Sequence, residues 1–296
     1  MILVAGSTGL LGSGICQRLV ALGKPVKALV RETTDPAKAA RLTGLGVQVV
    51  KGDLLQAASL KAACQGVDTV IDTVSSMPFS YQPGANDIQL VDLDGGKALI
   101  DAAKAAGVKH FIFTSFSGNI DADFPLRNAK RQVESHLKAS GLVYTILRPG
   151  YFMEAWLSPM VGFDAANAKA TVYGSGDQPI SWISLGDVVQ FAVESVTNPA
   201  ARNAVLELGG PEAVSPHQVI KLFEKASGKT FDVSHVPAEA LNAQMEGATE
   251  PMQKSFAGLM YCYATGDPID MSAIQKTFAV RLTPLNEYVA STLKPV

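Results

Sequence analysis

Three glycines spaced three apart, Gly6, Gly9 and Gly12, stand between the apolar run Met1-Ile2-Leu3-Val4-Ala5 and a segment whose Ile15, Leu19 and Val20 recur at helical spacing. The pattern reads as strand, tight turn, helix. Glycine takes backbone angles closed to other residues and lets a phosphate come close to the main chain. A helix that starts there offers unpaired N–H groups and the positive end of its dipole, where a pyrophosphate sits well. Gly12, in the first turn, allows the helix to pack tightly on the strand. The turn Gly6-Ser7-Thr8-Gly9-Leu10-Leu11-Gly12 therefore points to dinucleotide binding, with Gly6, Thr8, Gly9, Leu10, Leu11 and Gly12 around the phosphates.

The residue just past the second strand discriminates between nicotinamide cofactors. An acid there serves the adenine ribose 2′-hydroxyl, whereas an arginine pairs with a 2′-phosphate. Pro25 to Arg31 reads as that strand, and it ends at Arg31, followed by Glu32. The planar guanidinium fork suits a phosphate. NADP(H) is expected ahead of NAD(H), with the alternatives that Arg31 is a solvated charge or that Glu32 serves a ribose. At the end of the third strand, Asp53 could accept from the adenine amino group beside Leu54, or cap the next helix. Thr73, Val74 and Ser75, at the end of the fourth strand, are expected over the pyrophosphate and ribose, because ligands sit outside the carboxyl ends of parallel strands.

The elements that must position these groups alternate. Strands are expected over 25–31, 46–54, 67–74, 109–115 and 143–149. Helices are expected over 36–43, 59–64, 88–106 and 127–140, with Gly107 and Gly141 as stops and a loop over 77–85. This is the order of an α/β, doubly wound parallel sheet. A helix over 188–196 and a strand over 204–208 are expected to return to the sheet. Further helices over 216–227, 238–244 and 251–260 predict a smaller, mostly helical C-terminal subdomain. The division expected is 1–152 plus 181–212 for the dinucleotide-binding part, and 153–180 plus 213–296 for the substrate-binding part.

Composition bounds the rest. The 296 residues are 47% hydrophobic and 18% charged, with a net charge of −2, as in a globular protein with ample core. No basic excess marks nucleic acid as an obligatory partner. No apolar run is long enough for a membrane span. The first strand begins at Met1, which leaves no room for a leader and points to the cytoplasm. Three scattered cysteines fit reduced thiols. The four histidines lie in separate segments and no metal-binding spacing occurs, so no metal is expected.

Gly6 to Gly12, Phe113-Thr114-Ser115, Lys130 followed by Glu134, and Gly141 to Gly150 together resemble the NmrA-like group of atypical short-chain dehydrogenase/reductases. Ile183 to Val188 and Gly266-Asp267-Pro268 are also similar to it, so the resemblance covers nearly the whole chain. It implies a Rossmann fold, a small C-terminal subdomain and bound NADP(H). It implies either a reductase of the quinone or isoflavone type or a regulator that binds the dinucleotide without turnover.

In the wider superfamily a serine joins a tyrosine and a lysine spaced four apart on one helix, about one turn, so that both face the nicotinamide. The tyrosine transfers the proton. Ser115 and Lys130 fit the serine and lysine positions, but Leu126 stands where the tyrosine belongs. Lys130 itself, or a tyrosine such as Tyr81 or Tyr151, could supply the proton; otherwise the protein only binds. The plain alternative for Lys130 is an exposed pair with Glu134, and for Ser115 a cap on the loop after its strand. Pro149, Gly150, Tyr151 and Phe152 are expected beside the nicotinamide, with Tyr151, Phe152 and Trp156 walling a pocket for a flat, apolar small molecule. They could equally be core. A homodimer is compatible with the sequence, and a protein partner is expected if the chain is a regulator; an assembly factor using the fold as a platform is a third reading.

Overall fold

Burial on both faces turns the short apolar runs of the first half into strands of a parallel sheet. The computed structural model describes residues 1–77 and 87–294. In order come β1 (Ile2–Ala5), α1 (Leu10–Ala21), β2 (Val26–Val30), α2 (Pro36–Gly44), β3 (Gln48–Lys51), α3 (Ala57–Ala63) and β4 (Thr69–Asp72). A π-helical segment, Ile88–Gly95, leads into α4 (Gly96–Ala105), then β5 (His110–Thr114), α5 (Pro125–Ala139) and β6 (Val143–Pro149). The rest is α6 (Met153–Trp156), β7 (Phe163–Asp164), β8 (Lys169–Tyr173), α7 (Leu185–Ser195), β9 (Ala204–Leu208), α8 (Pro216–Ser227), β10 (Asp232–Val236), α9 (Ala238–Gly247), α10 (Pro251–Thr265) and α11 (Leu285–Thr292).

Seven strands form one sheet in the order β3-β2-β1-β4-β5-β6-β9. Every registered pair among the first six is parallel. This is the doubly wound α/β sheet expected from the alternation of elements, and its strand order reverses between β1 and β4. Leu3, Val4, Ala5, Val70, Ile71, Phe111 and Ile112 are fully buried. Each large apolar side chain among them contributes roughly 2 kcal/mol by leaving water. Gly107 and Gly141 stop α4 and α5 at positive φ, 77° and 84°, a geometry that favours glycine.

Two compact units emerge. The first comprises residues 1–115, 128–147 and 188–206; the second comprises 116–127, 148–187 and 207–296. Beyond its helices, the second unit holds a three-stranded sheet, β10-β8-β7, which the mostly helical reading did not include. Its strands were hard to read because β7 has two residues and β10 is largely exposed. Its core gathers Tyr151, Trp156, Trp182 and Tyr263, with Tyr263 stacked on Trp156 at 5.1 Å and Tyr151 edge-on to both.

The segment expected as one helix over 88–106 is wound in two ways. Its first eight residues are π-helical and begin at an Asp87 cap that accepts from the Leu90 N–H. The expected loop over 77–85 and Tyr81 lie outside the described residues, apart from Met77; so do Pro295 and Val296. No helix among the described residues is long and apolar enough to cross a membrane, and none of their His, Cys, Asp or Glu groupings could hold a metal ion. All three cysteines, Cys16, Cys64 and Cys262, are free and buried.

Candidate functional site: a glycine turn and a buried lysine on the same sheet edge

The glycine turn closes on itself. Gly6 has φ of 74°, and a Cβ there would meet Thr73 Oγ1 at 2.5 Å. A Cβ on Gly12 would collide with the Gly6 carbonyl oxygen, and one on Gly9 would press on the same atom at 3.3 Å. Ser7, fully buried, donates through Oγ to the Leu29 carbonyl at 2.9 Å, and Thr73 Oγ1 donates to the Ala5 carbonyl at 2.9 Å. These bonds tie the turn to β2 and to the strand beyond the order reversal.

α1 then starts at Gly9 with no side-chain cap. Its first N–H groups, on Leu10, Leu11 and Gly12, stand in the first turn of the helix, where donors lack an intrahelical partner. Leu10 is 59% exposed. This is the cradle a pyrophosphate needs, and the residues fit a dinucleotide: there is no Cβ where the phosphates would approach, and a dipole end faces them.

Around this turn the other expected contacts fall as follows. Arg31 is exposed at the end of β2, with no side-chain partner among the described residues, while Glu32 pairs with Lys51 at 3.5 Å. Arg31 is thus left available for a 2′-phosphate and Glu32 is partly occupied. Asp53 accepts the Leu55 N–H at 3.0 Å. It shapes the turn before α3, whose own N-cap is Gln56. Leu54 is half-buried against Gly95, where a Cβ would meet its side chain at 2.7 Å. Thr73 and Val74 are half-buried and Ser75 is exposed.

Lys130 is the feature furthest from its plain alternative. It is 4% exposed. Its Nζ donates to the Val74 carbonyl at 2.8 Å, pairs with Asp92 Oδ1 at 3.3 Å and stands 5.2 Å from the centre of the Phe113 ring. Glu134, four residues on, pairs with Arg131 at 2.7 Å. The surface Lys130–Glu134 pair does not form.

Asp92 sits on the π-helical segment. Its Oδ2 accepts both the Ser76 N–H, at 3.0 Å, and the Ser76 hydroxyl in a short hydrogen bond. Asp72, buried at the end of β4, accepts the Val74 N–H at 2.9 Å. Burial pushes its carboxyl up to about 6, with Asp92 adding to the rise, while Lys130 and the Val74 N–H pull it down. Sequence reasoning missed Asp92 and Asp72, and took Ser76 only as the last residue of the strand end over the pyrophosphate and ribose. The one signal was an acid inside an apolar helix, which is usually a sign of a surface face.

Ser115 is buried; its N–H donates to the Leu147 carbonyl at 2.8 Å, and its Oγ accepts from Arg131 at 3.2 Å. In the second unit, Gly150 N–H donates to the Leu208 carbonyl at 2.9 Å. Pro149 is buried and takes the Ser117 N–H at 2.8 Å. Tyr151 is 2% exposed and its hydroxyl donates to the Leu259 carbonyl at 3.1 Å. Burial raises its phenol well above the ordinary value. A hydroxyl so committed is poorly suited to proton transfer, so Tyr151 stands in the core. Phe152 and Trp156 keep part of their surface exposed. Leu126 is buried, and its N–H donates to Ser255 Oγ at 3.1 Å.

The NmrA-like family matches residues 1–289. An isoflavone reductase homolog, IRL, from Zea mays is 35% identical over 85% of this chain and 82% of its own length. An NAD(P)H azoreductase from Xenophilus azovorans is 32% identical over 94% of this chain and 91% of its own. Among solved structures, the NADPH-dependent quinone oxidoreductase QOR2 of Escherichia coli in complex with NADPH superposes with a TM-score of 0.79. It is 27% identical, over 99% of this chain and all of that one.

Proposed function

The chain belongs to the NmrA-like family, and on that premise we propose that it is an NADPH-dependent oxidoreductase of the cytoplasm. Its acceptor is a small, flat carbonyl, quinone or enone. One observation carries the reading: Thr73 closes over the glycine turn, and the next residue, Val74, takes the Lys130 ammonium. The phosphate cradle and the buried cation therefore meet at one strand end, on the sheet edge where ligands of this fold lie.

When bound, NADPH supplies the hydride, and the acceptor gains that hydride and one proton. Leu10, Leu11 and Gly12 offer their N–H groups to the pyrophosphate, with Gly6, Thr8 and Gly9 shaping the turn, and Arg31 holds the 2′-phosphate. Asp53 and Leu54 flank the adenine; Thr73, Val74 and Ser75 line the ribose side. Lys130 holds the nicotinamide ribose and, with Ser115 or water, serves the acceptor's proton. Pro149, Gly150 and Phe152 lie toward the nicotinamide in this reading. Phe152 and Trp156, half-buried, are the aromatic side chains proposed to wall the acceptor's pocket, with Tyr151 behind them.

The test follows oxidation of NADPH, and separately NADH, across quinones, enones, azo compounds and aromatic aldehydes. Saturable consumption of NADPH, lost in Lys130→Ala with folding kept, is the expected result. Preference for NADH overturns the assignment of Arg31. A second reading, a dinucleotide-sensing regulator with a protein partner, draws on Leu126, which gives α5 an apolar side chain where a proton donor is usual. Tight NADPH binding with no turnover on any acceptor supports that reading instead.

A further inference from the structure

A lysine ammonium withdrawn from water is costly unless a counter-charge and hydrogen bonds replace its hydration. Here the replacement is specific. The Val74 carbonyl takes one N–H, Asp92 Oδ1 supplies the counter-charge at 3.3 Å without a hydrogen bond, and the Phe113 ring face lies beneath. Asp92 is itself held. Its side chain has no exposed surface, and Ser76 grips one oxygen through both its backbone N–H and its hydroxyl. That leaves the other oxygen turned to Lys130. The π-helical winding of Ile88–Gly95 brings Asp92 to this point. Such segments are rare and are frequent at functional sites. Asp72 completes the surroundings, a second carboxylate within electrostatic reach of the same ammonium. Arg131 and Glu134, on Lys130's own helix, are paired with each other.

We infer that Asp92, locked by Ser76, is a positioning residue that fixes the Lys130 ammonium for the cofactor and acceptor. The pair from the π-helical segment and the strand end thus works as one device: Ser76 orients Asp92, the Asp92 charge and the Val74 carbonyl hold Lys130, and the ammonium keeps N–H groups that no acceptor among the described residues takes. Well-supported functional groups are built this way, since a loosely held charge loses its geometry. The inference rests on the oxidoreductase reading for its catalytic half and on NADPH binding alone for the other half.

A double-mutant cycle tests it, with NADPH affinity measured by quenching or transfer of fluorescence and turnover measured on the best acceptor. Asp92→Asn keeps the shape and removes the charge; it is expected to weaken NADPH binding and lower kcat, each by about tenfold. Lys130→Ala is expected to lose at least as much. In the Lys130→Ala background, Asp92→Asn is expected to add less than about twofold to either loss, because a residue acting through Lys130 has nothing left to act on. Losses that multiply in the double variant overturn the inference and leave Asp92 a structural residue. So does full retention of both readouts in Asp92→Asn.

If Asp92→Asn fails to fold, Ser76→Ala replaces it in the cycle. It deletes one hydrogen bond to Asp92, keeps every charge, and is expected to cost roughly threefold with the same non-additivity. A wild-type protein that binds NADPH but turns over no acceptor removes the oxidoreductase reading. The binding cycle still decides the role of Asp92.

Discussion

Two buried carboxylates, one in each compact unit, are answered in opposite ways. Asp92 in the first unit has two hydrogen bonds from one serine at Oδ2 and, at Oδ1, a buried cation at 3.3 Å but no hydrogen bond. Asp267 in the second unit is fully buried and has neutral donors at Oδ1: the Ser117 hydroxyl at 2.6 Å and the Asn119 amide at 2.8 Å. Its Oδ2 has no hydrogen-bond partner among the described residues and lies over Gly150, where a Cβ would meet it at 2.7 Å. Burial raises the Asp267 carboxyl above the ordinary carboxylate range, against the pull of Ser117 and Asn119 and with Glu207 adding to the rise. The contrast teaches what each is for. A carboxylate matched by a cation holds a charge pair beside the end of β4, whereas one matched by neutral donors fastens a turn, here residues 117–119.

The sharpest way to break this comparison is to remove the cation. Lys130→Met leaves Asp92 buried and unmatched, and the expected loss is about 3–5 kcal/mol of unfolding free energy at neutral pH, read by urea titration. A loss no larger than that of a surface substitution would show that the pair contributes nothing net.

Next in size is Asp72→Asn. The folded Asp72 carboxyl titrates at about 6 against 3.8 for the free group, so the folded state holds more protons between those values. Stability contributed by Asp72 therefore falls as pH rises from about 4 to 6, and about 3 kcal/mol is missing above that window. Asn keeps an oxygen for the Val74 N–H. The variant is expected to be more stable than the parent at pH 8 by up to that amount and no more stable below pH 4, measured by denaturation across the range. His110, pushed down to about 4 by burial, works in the other direction. Its neutral ring contributes stability that is lost as pH falls from about 6.5 to 4, so the parent's pH profile is flatter than that of Asp72→Asn.

In the second unit, Ser117→Ala is expected to cost about 2 kcal/mol, because it strips a donor from a buried carboxyl. The smallest effect is expected for Asp267→Asn. With neutral donors already in place, exchanging the acid for an amide should change stability by less than about 1 kcal/mol. A loss matching that of Lys130→Met would erase the distinction between the two carboxylates.

Much of the first unit was legible. Glycine spacing, apolar strand cores and the positive-φ stops at Gly107 and Gly141 are local signals, and local physics determines them. Strand 204–208 and helix 216–227 were read at their observed bounds for the same reason. The Lys130 site was legible only in part. Four-residue spacing offered Glu134 as a partner, but the pairing that forms links Lys130 to Asp92, 38 residues earlier by number. Only the fold brings those positions together. A regular 3.6-residue reading also could not reveal the π-helical winding that carries Asp92. Tyr151, Phe152 and Trp156 read as either pocket or core, and packing decided for core at Tyr151, because its hydroxyl found the Leu259 carbonyl in the interior.

The buried cysteines have a practical consequence at the bench. Burial pushes the thiols of Cys16 and Cys64 up to about 12 and 11 and raises that of Cys262 as well. The thiolate, which is the reactive form, is therefore scarce and shielded. The native chain should tolerate maleimide dyes, so a single cysteine introduced at exposed Met160 would take a fluorophore at one defined place. The three native thiols would then serve as a clock, each becoming modifiable at the rate at which its own surroundings open.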